Sequence, residues 1–144
     1  MEFSQTITCP TEQDLIDVSR EFSTHLKQGD VCLMHGDVGA GKTFFTTAAV
    51  AALGGDARIV GSPSFTLVNI YPFPQGEIYH VDLYRLDGLV EEDDVSQEDW
   101  MCPEQGMSFI EWAERLEGWK PEQGYALYFN HLNQGRSVRI EPLR

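Results

Sequence analysis

One eight-residue segment constrains the fold of this chain more than any other feature. Residues 36–43 are Gly-Asp-Val-Gly-Ala-Gly-Lys-Thr, which match the phosphate-binding pattern G-x-x-x-x-G-K-[ST] at every specified position. A loop of this kind follows a buried strand and opens a helix. The segment therefore predicts an α/β fold as well as a binding site.

The residues on both sides of the loop meet this requirement. Residues 31–35 form a mostly apolar run without alternation, as expected of a parallel strand that is covered on both faces. Residues 42–53 are rich in alanine, contain no proline or glycine, and stop at Gly54 and Gly55. This pattern predicts a helix with a glycine terminator.

The predicted loop has the chemistry of a polyphosphate site. Its three glycines let successive backbone N–H groups point into one concavity, and the N-terminus of the following helix adds partial positive charge. Lys42 is expected to reach the β- and γ-phosphates, and the Thr43 hydroxyl to coordinate a bridging Mg²⁺. The alternative is a glycine-rich turn that binds no ligand.

Composition limits the class of protein and of partner. The chain has 144 residues and is 42% hydrophobic, so we expect a single domain over residues 1–144 with one core. Ten Lys and Arg against 23 Asp and Glu give a net charge of −13, which disfavours a basic face that binds nucleic acid directly. Any role around RNA is expected to run through a protein partner, unless the charge serves solubility alone.

The cysteines and the N-terminal residues indicate the compartment. Cys9, Cys32 and Cys102 form no C-x-x-C pair, which points to a reducing compartment without a disulfide framework or a zinc site. No signal segment or membrane span is recognisable, so we expect a soluble cytoplasmic protein. The four histidines show no metal-ligand spacing and are assigned no chemistry.

The remaining segments predict a mixed sheet around the loop. Thr11 and Asp14 resemble a capping box, and apolar residues at helical spacing predict a helix over residues 12–27. Strands are expected at 6–9, at 65–73 and 77–82 as a hairpin, at 107–112, and at 124–132 and 136–142 as an antiparallel pair. Short helices are expected within 86–106 and at 113–118.

Two apolar segments end in a carboxylate. Asp82 closes one of them, in the form of a Walker B segment whose carboxylate faces Mg²⁺ or the attacking water, although a salt-bridged turn from Asp82 to Arg85 is equally consistent. Glu111 closes the other, and a strand beside the loop strand would bring it to the same edge of a parallel sheet. Trp112 would then be either core or a lid. Arg136 is either a cationic phosphate contact or a surface arginine.

Five separated segments together resemble one family. They are the loop at 36–43, Ser-Pro-Ser-Phe-Thr-Leu-Val at 62–68, Tyr-His-Val-Asp-Leu-Tyr-Arg-Leu at 79–86, Ile-Glu-Trp at 110–112 and Gln-Gly-Arg at 134–136. In this order they resemble the bacterial TsaE family, also called YjeE, whose members are small ATPases required for threonylcarbamoyladenosine modification of tRNA at position 37. With the predicted elements, this implies a P-loop NTPase-like three-layer α/β sandwich whose mixed sheet has a parallel core and antiparallel hairpin additions.

The resemblance also assigns roles to residues. It implies that Lys42, Asp82 and Glu111 are catalytic, with Asp82 near the γ-phosphate, and that Thr43 and Glu111 bind Mg²⁺ together. Ser64 would lie in a switch-like loop, where an ordinary polar loop is the alternative. The residues expected to contact ATP are Thr11, Gly39, Ala40, Gly41, Lys42, Thr43, Phe44, Ser64, Thr66, Trp112 and Arg136.

Family members act with the protein pair TsaB and TsaD, in which TsaD transfers the threonylcarbamoyl group and the ATPase supports repeated turnover. The resemblance therefore implies a TsaB/TsaD-type partner, with tRNA contacted only through it. Two other functions stay open. A small nucleoside or metabolite kinase would need an acceptor pocket and usually an arginine-bearing lid. A nucleotide-dependent structural subunit would need no hydrolysis, and Asp82 and Glu111 favour hydrolysis over it.

Overall fold

The chain folds around one seven-stranded sheet in a computed structural model that describes residues 4–37, 39–61, 68–83, 97–116 and 119–143. The elements are β1 (Gln5–Cys9), α1 (Glu12–Ser23), β2 (Val31–His35), α2 (Lys42–Ala52), β3 (Val68–Phe73), β4 (Gly76–Asp82), α3 (Gln97–Met101), β5 (Gly106–Glu111), β6 (Gly124–His131) and β7 (Arg136–Pro142). Two short 3₁₀ turns, Ala57–Ile59 and Ala113–Arg115, complete the described part.

The sheet has a parallel centre and antiparallel margins. Its strand order is β1-β7-β6-β2-β5-β4-β3. The neighbouring strands β6, β2, β5 and β4 are mutually parallel, whereas β3, β7 and β1 each pair antiparallel with their neighbour. This arrangement confirms the predicted mixed sheet. It also brings the carboxyl ends of β2, β5 and β4 to one edge, where ligands gather in such folds.

A hydrophobic core covers each face of the sheet. On one face, α1 and α2 pack against each other and over the strands, and the Phe45 ring meets Phe129 edge-on at 5.4 Å between centroids. On the other face, Val31, Leu33 and Ile110 pack against Trp100 of α3. β5 is buried along its whole length, and its residues Met107, Phe109 and Ile110 supply apolar side chains to both faces, as expected of a central parallel strand.

The predicted boundaries hold around the loop but fail at the end of two helices. The helix predicted for 12–27 ends at Ser23, because the Thr24 N–H and hydroxyl bind the Glu21 carbonyl and the Asp30 carboxylate accepts the Lys27 N–H at 2.7 Å. In place of the helix predicted for 113–118, the described residues 113–116 form the 3₁₀ turn Ala113–Arg115, and residues 117–118 lie outside the described ranges. Of the strand predicted for 65–73, residues 65–67 lie outside the described ranges.

Thr11 caps α1 as predicted. Its hydroxyl accepts the Asp14 N–H, and the Asp14 carboxylate accepts the Thr11 N–H in return, which forms a complete capping box. We expect Thr11→Ala to lower the free energy of unfolding by about 1 kcal/mol, measured by chemical denaturation. Thr24→Ala, at the other end of the same helix, is the matched control. An equal loss in both variants would contradict the capping role.

Candidate functional site

The glycine-rich loop follows β2 and opens α2, as the motif requires. Gly39 and Gly41 have φ of 79° and 107°, in the left-handed region that favours glycine. A Cβ on Gly41 would also lie 3.0 Å from Leu15 Cδ2 and 3.2 Å from Arg136 Cδ, so little space exists for a side chain. Ala40 is buried in the core. Val38 lies outside the described residues.

Lys42 lies at the start of α2 and is buried, with 4% of its surface exposed. Its Nζ donates to the Gly36 carbonyl at 2.5 Å and stands 3.9 Å from the centroid of the Trp112 ring. Burial lowers the pKa of Lys42, and four nearby carboxylates, of which Glu111 is the strongest, oppose this shift. A cation is thus held at the loop by a carbonyl, an aromatic face and surrounding negative charge.

The two predicted carboxylates are direct neighbours. Asp82 and Glu111 are register partners at the carboxyl ends of the parallel strands β4 and β5, and they are 5% and 4% exposed. The Thr43 hydroxyl donates to Glu111 Oε2 at 2.8 Å, which joins the first turn of α2 to β5. Lys42, Thr43, Asp82 and Glu111 therefore belong to one site, although they come from three separate segments.

The oxygen donors at this edge fit Mg²⁺. Hydroxyl and carboxylate oxygens are the ligands that Mg²⁺ prefers, and this ion is usually bound by one or two carboxylates together with substrate phosphates. In the described ranges, no group of three or more His, Cys, Asp or Glu could hold a metal by itself. Thr43 and Glu111 would therefore bind Mg²⁺ together with phosphate oxygens.

His80 and Tyr71 also belong to this cluster, although the sequence had assigned the histidines no chemistry. His80 is fully buried on β4, and its Nε2 lies 2.5 Å from Glu111 Oε2. Its Nδ1 lies 2.9 Å from the hydroxyl of Tyr71 on β3. The sequence does contain a signal for His80: side chains alternate along a strand, so His80 lies on the same face of β4 as Asp82.

The other predicted contacts surround the loop to different degrees. Trp112 is half-buried, packs against the core of the second face and has φ 59°, the left-handed region, so it is partly core and partly a wall of the site. Arg136 Nη2 donates to the Gly39 carbonyl at 3.3 Å, and its buried Nε has no partner within the described ranges. Phe44, in the first turn of α2, is partly buried and packs against the core of the first face.

Of three further predicted contacts, Thr11, Ser64 and Thr66, only Thr11 lies in the described ranges. Thr11 is exposed, and its side chain takes part in the capping box of α1. It lies two residues after Cys9, the last residue of β1, which is the register partner of Arg136. Ser64 and Thr66 lie outside the described residues, as does the proposed turn partner Arg85.

A separate cleft of about 510 Å³ opens at the opposite, amino-terminal edge of the parallel strands. Its walls are formed by Gln28, Gly29, Val31, Met101, Cys102, Pro103, Glu104, Trp119, Lys120, Pro121, Glu122 and Gln123. None of the predicted site residues contributes to it, so this cleft and the residues with recognisable chemistry are at opposite ends of the sheet.

Residues 9–139 match the family described as Threonylcarbamoyl adenosine biosynthesis protein TsaE. The Rickettsia bellii (strain RML369-C) protein named tRNA threonylcarbamoyladenosine biosynthesis protein TsaE is 33% identical over 114 residues, which cover 79% of this chain and 77% of the relative. The protein of the same name from Borreliella burgdorferi is 30% identical over 131 residues, 90% of this chain and 94% of the relative.

A solved structure has the same fold. The crystal structure of Bacillus subtilis YdiB superposes with a TM-score of 0.76 at 25% sequence identity, over 99% of this chain and 87% of that one. The likeness therefore includes both the parallel centre of the sheet and its antiparallel margins. No helix in the described ranges is long and apolar enough to span a membrane.

Proposed function

The chain belongs to the TsaE family of threonylcarbamoyladenosine biosynthesis proteins, and from this membership we propose that it is a Mg²⁺-dependent ATPase that supports formation of this modified nucleoside in tRNA. It would act on a partner complex of the TsaB/TsaD type rather than on tRNA itself. Its place of action would be the cytoplasm.

One contact carries the proposal: the Thr43 hydroxyl donates to Glu111 Oε2 at 2.8 Å. A phosphate loop by itself is compatible with simple nucleotide binding. A threonine of that loop in contact with a carboxylate at the end of the neighbouring parallel strand is the donor pair that P-loop NTPases use for Mg²⁺. The pair lies beside Lys42, so cation, hydroxyl and carboxylate meet at one point.

Each residue has a distinct role in this proposal. Backbone N–H groups around Gly39 and Gly41 would bind the phosphates, and the Lys42 ammonium would neutralise charge on the β- and γ-phosphates. Mg²⁺ held by Thr43 and Glu111 would offset negative charge on the transferred group. Asp82 would orient the water that attacks the γ-phosphorus and accept its proton, while the bond to the β-phosphate oxygen breaks.

The net charge supports an indirect role at tRNA. At −13, the chain would be repelled by a phosphate backbone unless a basic partner intervened. A TsaB/TsaD-type pair that holds the tRNA would remove this difficulty. We therefore expect ATP hydrolysis to be weak in the isolated protein and productive in the complex.

Phosphate release with and without the partner pair tests the proposal. We expect the protein alone to release phosphate from ATP slowly, the rate to rise when TsaB and TsaD are added together, and EDTA to abolish both activities. The partner pair without this protein gives the background. No ATP-dependent release under any of these conditions, or release that is indifferent to EDTA, would contradict the proposal.

The same assay separates the two competing functions. Transfer of the γ-phosphate label to a small molecule instead of water would favour a kinase. Restoration of many-turnover tRNA modification by an Asp82→Ala protein that binds ATP but does not hydrolyse it would favour a structural subunit. Under our proposal, this variant supports no repeated turnover.

A further inference from the structure

Glu111 has a second partner besides Thr43, and this partner is a buried histidine. His80 Nε2 and Thr43 Oγ1 lie 2.5 Å and 2.8 Å from the same oxygen, Glu111 Oε2. A carboxylate that is almost fully withdrawn from water needs hydrogen-bond donors in place of water. The two contacts differ in kind, because Thr43 belongs to the phosphate loop and His80 to the strand next to β5.

The other ring nitrogen of His80 continues the connection away from Glu111. His80 Nδ1 lies 2.9 Å from the Tyr71 hydroxyl, whose oxygen lies 3.1 Å from the Gly61 carbonyl oxygen and accepts from the Gly61 N–H at 3.3 Å. Gly61 directly precedes residues 62–67, where Ser64 and Thr66 occur in the sequence. A continuous path of hydrogen-bonding groups thus runs from Glu111 to the backbone of Gly61.

The direction of the first contact does not depend on the charge of the imidazole. When Glu111 is ionised it can only accept, so the proton on His80 Nε2 points to it in the neutral ring and in the charged ring. Only the Tyr71 hydroxyl would turn, since it donates to Nδ1 of a neutral ring and to the Gly61 carbonyl when Nδ1 carries a proton. His80 therefore holds Glu111 in either state.

A purely structural role would not require a histidine here. Ile78 lies two residues earlier on the same face of β4 and fills the core as a fully buried apolar side chain. His80 stands where that face passes from the apolar core to the carboxylates of Asp82 and Glu111. The position thus combines full burial with two polar contacts, and each contact engages a different ring nitrogen.

We propose that His80 is a positioning residue that fixes the Glu111 carboxylate beside Thr43 and, through Tyr71, links that carboxylate to Gly61. This inference rests on the proposed function, because the orientation of Glu111 matters for activity only if it meets Mg²⁺. Residues that orient metal-binding side chains in this way typically change metal affinity by about 10- to 100-fold when they are replaced.

Two polar replacements of His80 separate its two contacts. The amide of Gln reaches the position of Nε2 and can donate to Glu111, whereas the shorter amide of Asn reaches only the position of Nδ1. Calorimetric titration with the non-hydrolysable analogue AMPPNP, in Mg²⁺ and in EDTA, measures how much Mg²⁺ strengthens binding. We expect this gain to fall by about 10- to 100-fold in His80→Asn and to stay near the wild-type value in His80→Gln.

Ile78→Ala is the matched control, because it removes buried volume from the same strand face without touching Glu111. We expect it to lower the thermal unfolding midpoint and to leave the Mg²⁺-dependent gain unchanged. Binding in EDTA should be the same in all variants, since the phosphate loop is intact. A wild-type gain in His80→Asn, or equal losses in His80→Asn and Ile78→Ala, would overturn the positioning role.

Amide hydrogen exchange at Gly61 tests the second half of the link without measuring activity. We expect Mg²⁺ and AMPPNP to slow this exchange in the wild type but not in Tyr71→Phe, which lacks the hydroxyl. Equal slowing in both proteins would overturn the link to Gly61. A wild-type protein whose AMPPNP binding ignored Mg²⁺ would overturn the proposed function itself, which distinguishes that failure from the failure of His80 alone.

Discussion

Lys42→Ala is expected to lower ATP turnover by roughly two to three orders of magnitude and to weaken AMPPNP binding both with Mg²⁺ and in EDTA. The ammonium of Lys42 stands among four carboxylates, of which Glu111 acts on it most strongly. Without it, an incoming triphosphate would meet the negative charge of that cluster directly. Phosphate release and calorimetric titration measure the two effects.

Lys120→Ala is the control for Lys42→Ala. Lys120 is exposed and lines the cleft at the opposite edge of the sheet. Its replacement removes one positive charge, as Lys42→Ala does, but leaves the phosphate loop unchanged. We expect this variant to retain wild-type turnover. Wild-type turnover in Lys42→Ala, or an equal reduction in both variants, would contradict the assignment of Lys42.

Asp82→Asn is expected to reduce turnover by about 10²- to 10⁴-fold, the usual contribution of a general base, while AMPPNP still binds in a Mg²⁺-dependent manner. Glu111→Gln is its isosteric counterpart on the neighbouring strand. Because Glu111 contacts Thr43 and Asp82 is assigned to the attacking water, Glu111→Gln should instead raise the Mg²⁺ concentration needed for half-maximal binding. Single-turnover hydrolysis and Mg²⁺ titration measure the two properties separately.

The opposite pattern would exchange the two roles. If Asp82→Asn shifted the Mg²⁺ requirement and Glu111→Gln did not, Asp82 would be the main protein carboxylate at the metal. If neither variant changed turnover, the edge formed by β4 and β5 would not be the hydrolytic site. Each amide replaces a buried carboxylate, so circular dichroism of both variants is the control for an intact fold.

The centre of the fold was predictable because its signals are local. The apolar run at Val31–His35 and the helix from Lys42 are set by residues that are adjacent in sequence, and the structure agrees with both predictions to within one residue. Glu111 was expected at this edge on the condition that its strand lay beside the loop strand, and β5 does pair with β2 in parallel. Motif and periodicity sufficed for β2 and α2, whereas the place of β5 is defined by the folded sheet.

The ends of the helices depend on contacts that no periodic pattern contains. Leu26 continues the apolar spacing of α1 and is partly buried, so the pattern favoured a longer helix. The helix nevertheless ends at Ser23, because the carboxylate of Asp30, the residue before β2, accepts a hydrogen bond from the Lys27 N–H. A side chain from outside the helix therefore decides where it ends.

His80 was missed for a related reason. A search for ligand spacing compares residues that are close in sequence, whereas the partners of His80 are Tyr71 across the hairpin and Glu111 on a strand formed much later in the chain. Its relation to Asp82 by strand alternation was visible. The contact with Glu111 required the register of β4 against β5, which only the folded sheet defines.

The pairing of β2 has a consequence for biosynthesis. Its neighbours in the sheet are β5 and β6: Val31 lies in register with Ser108 and Gly124, and its N–H donates to the Gln123 carbonyl. A nascent chain that has emerged from the ribosome only as far as the hairpin carries the phosphate loop on a strand with neither neighbour present, and closing such distant pairings is slow. The loop is thus translated well before the strands that flank β2, and it can become a rigid site only after residues 106–131 have been synthesised.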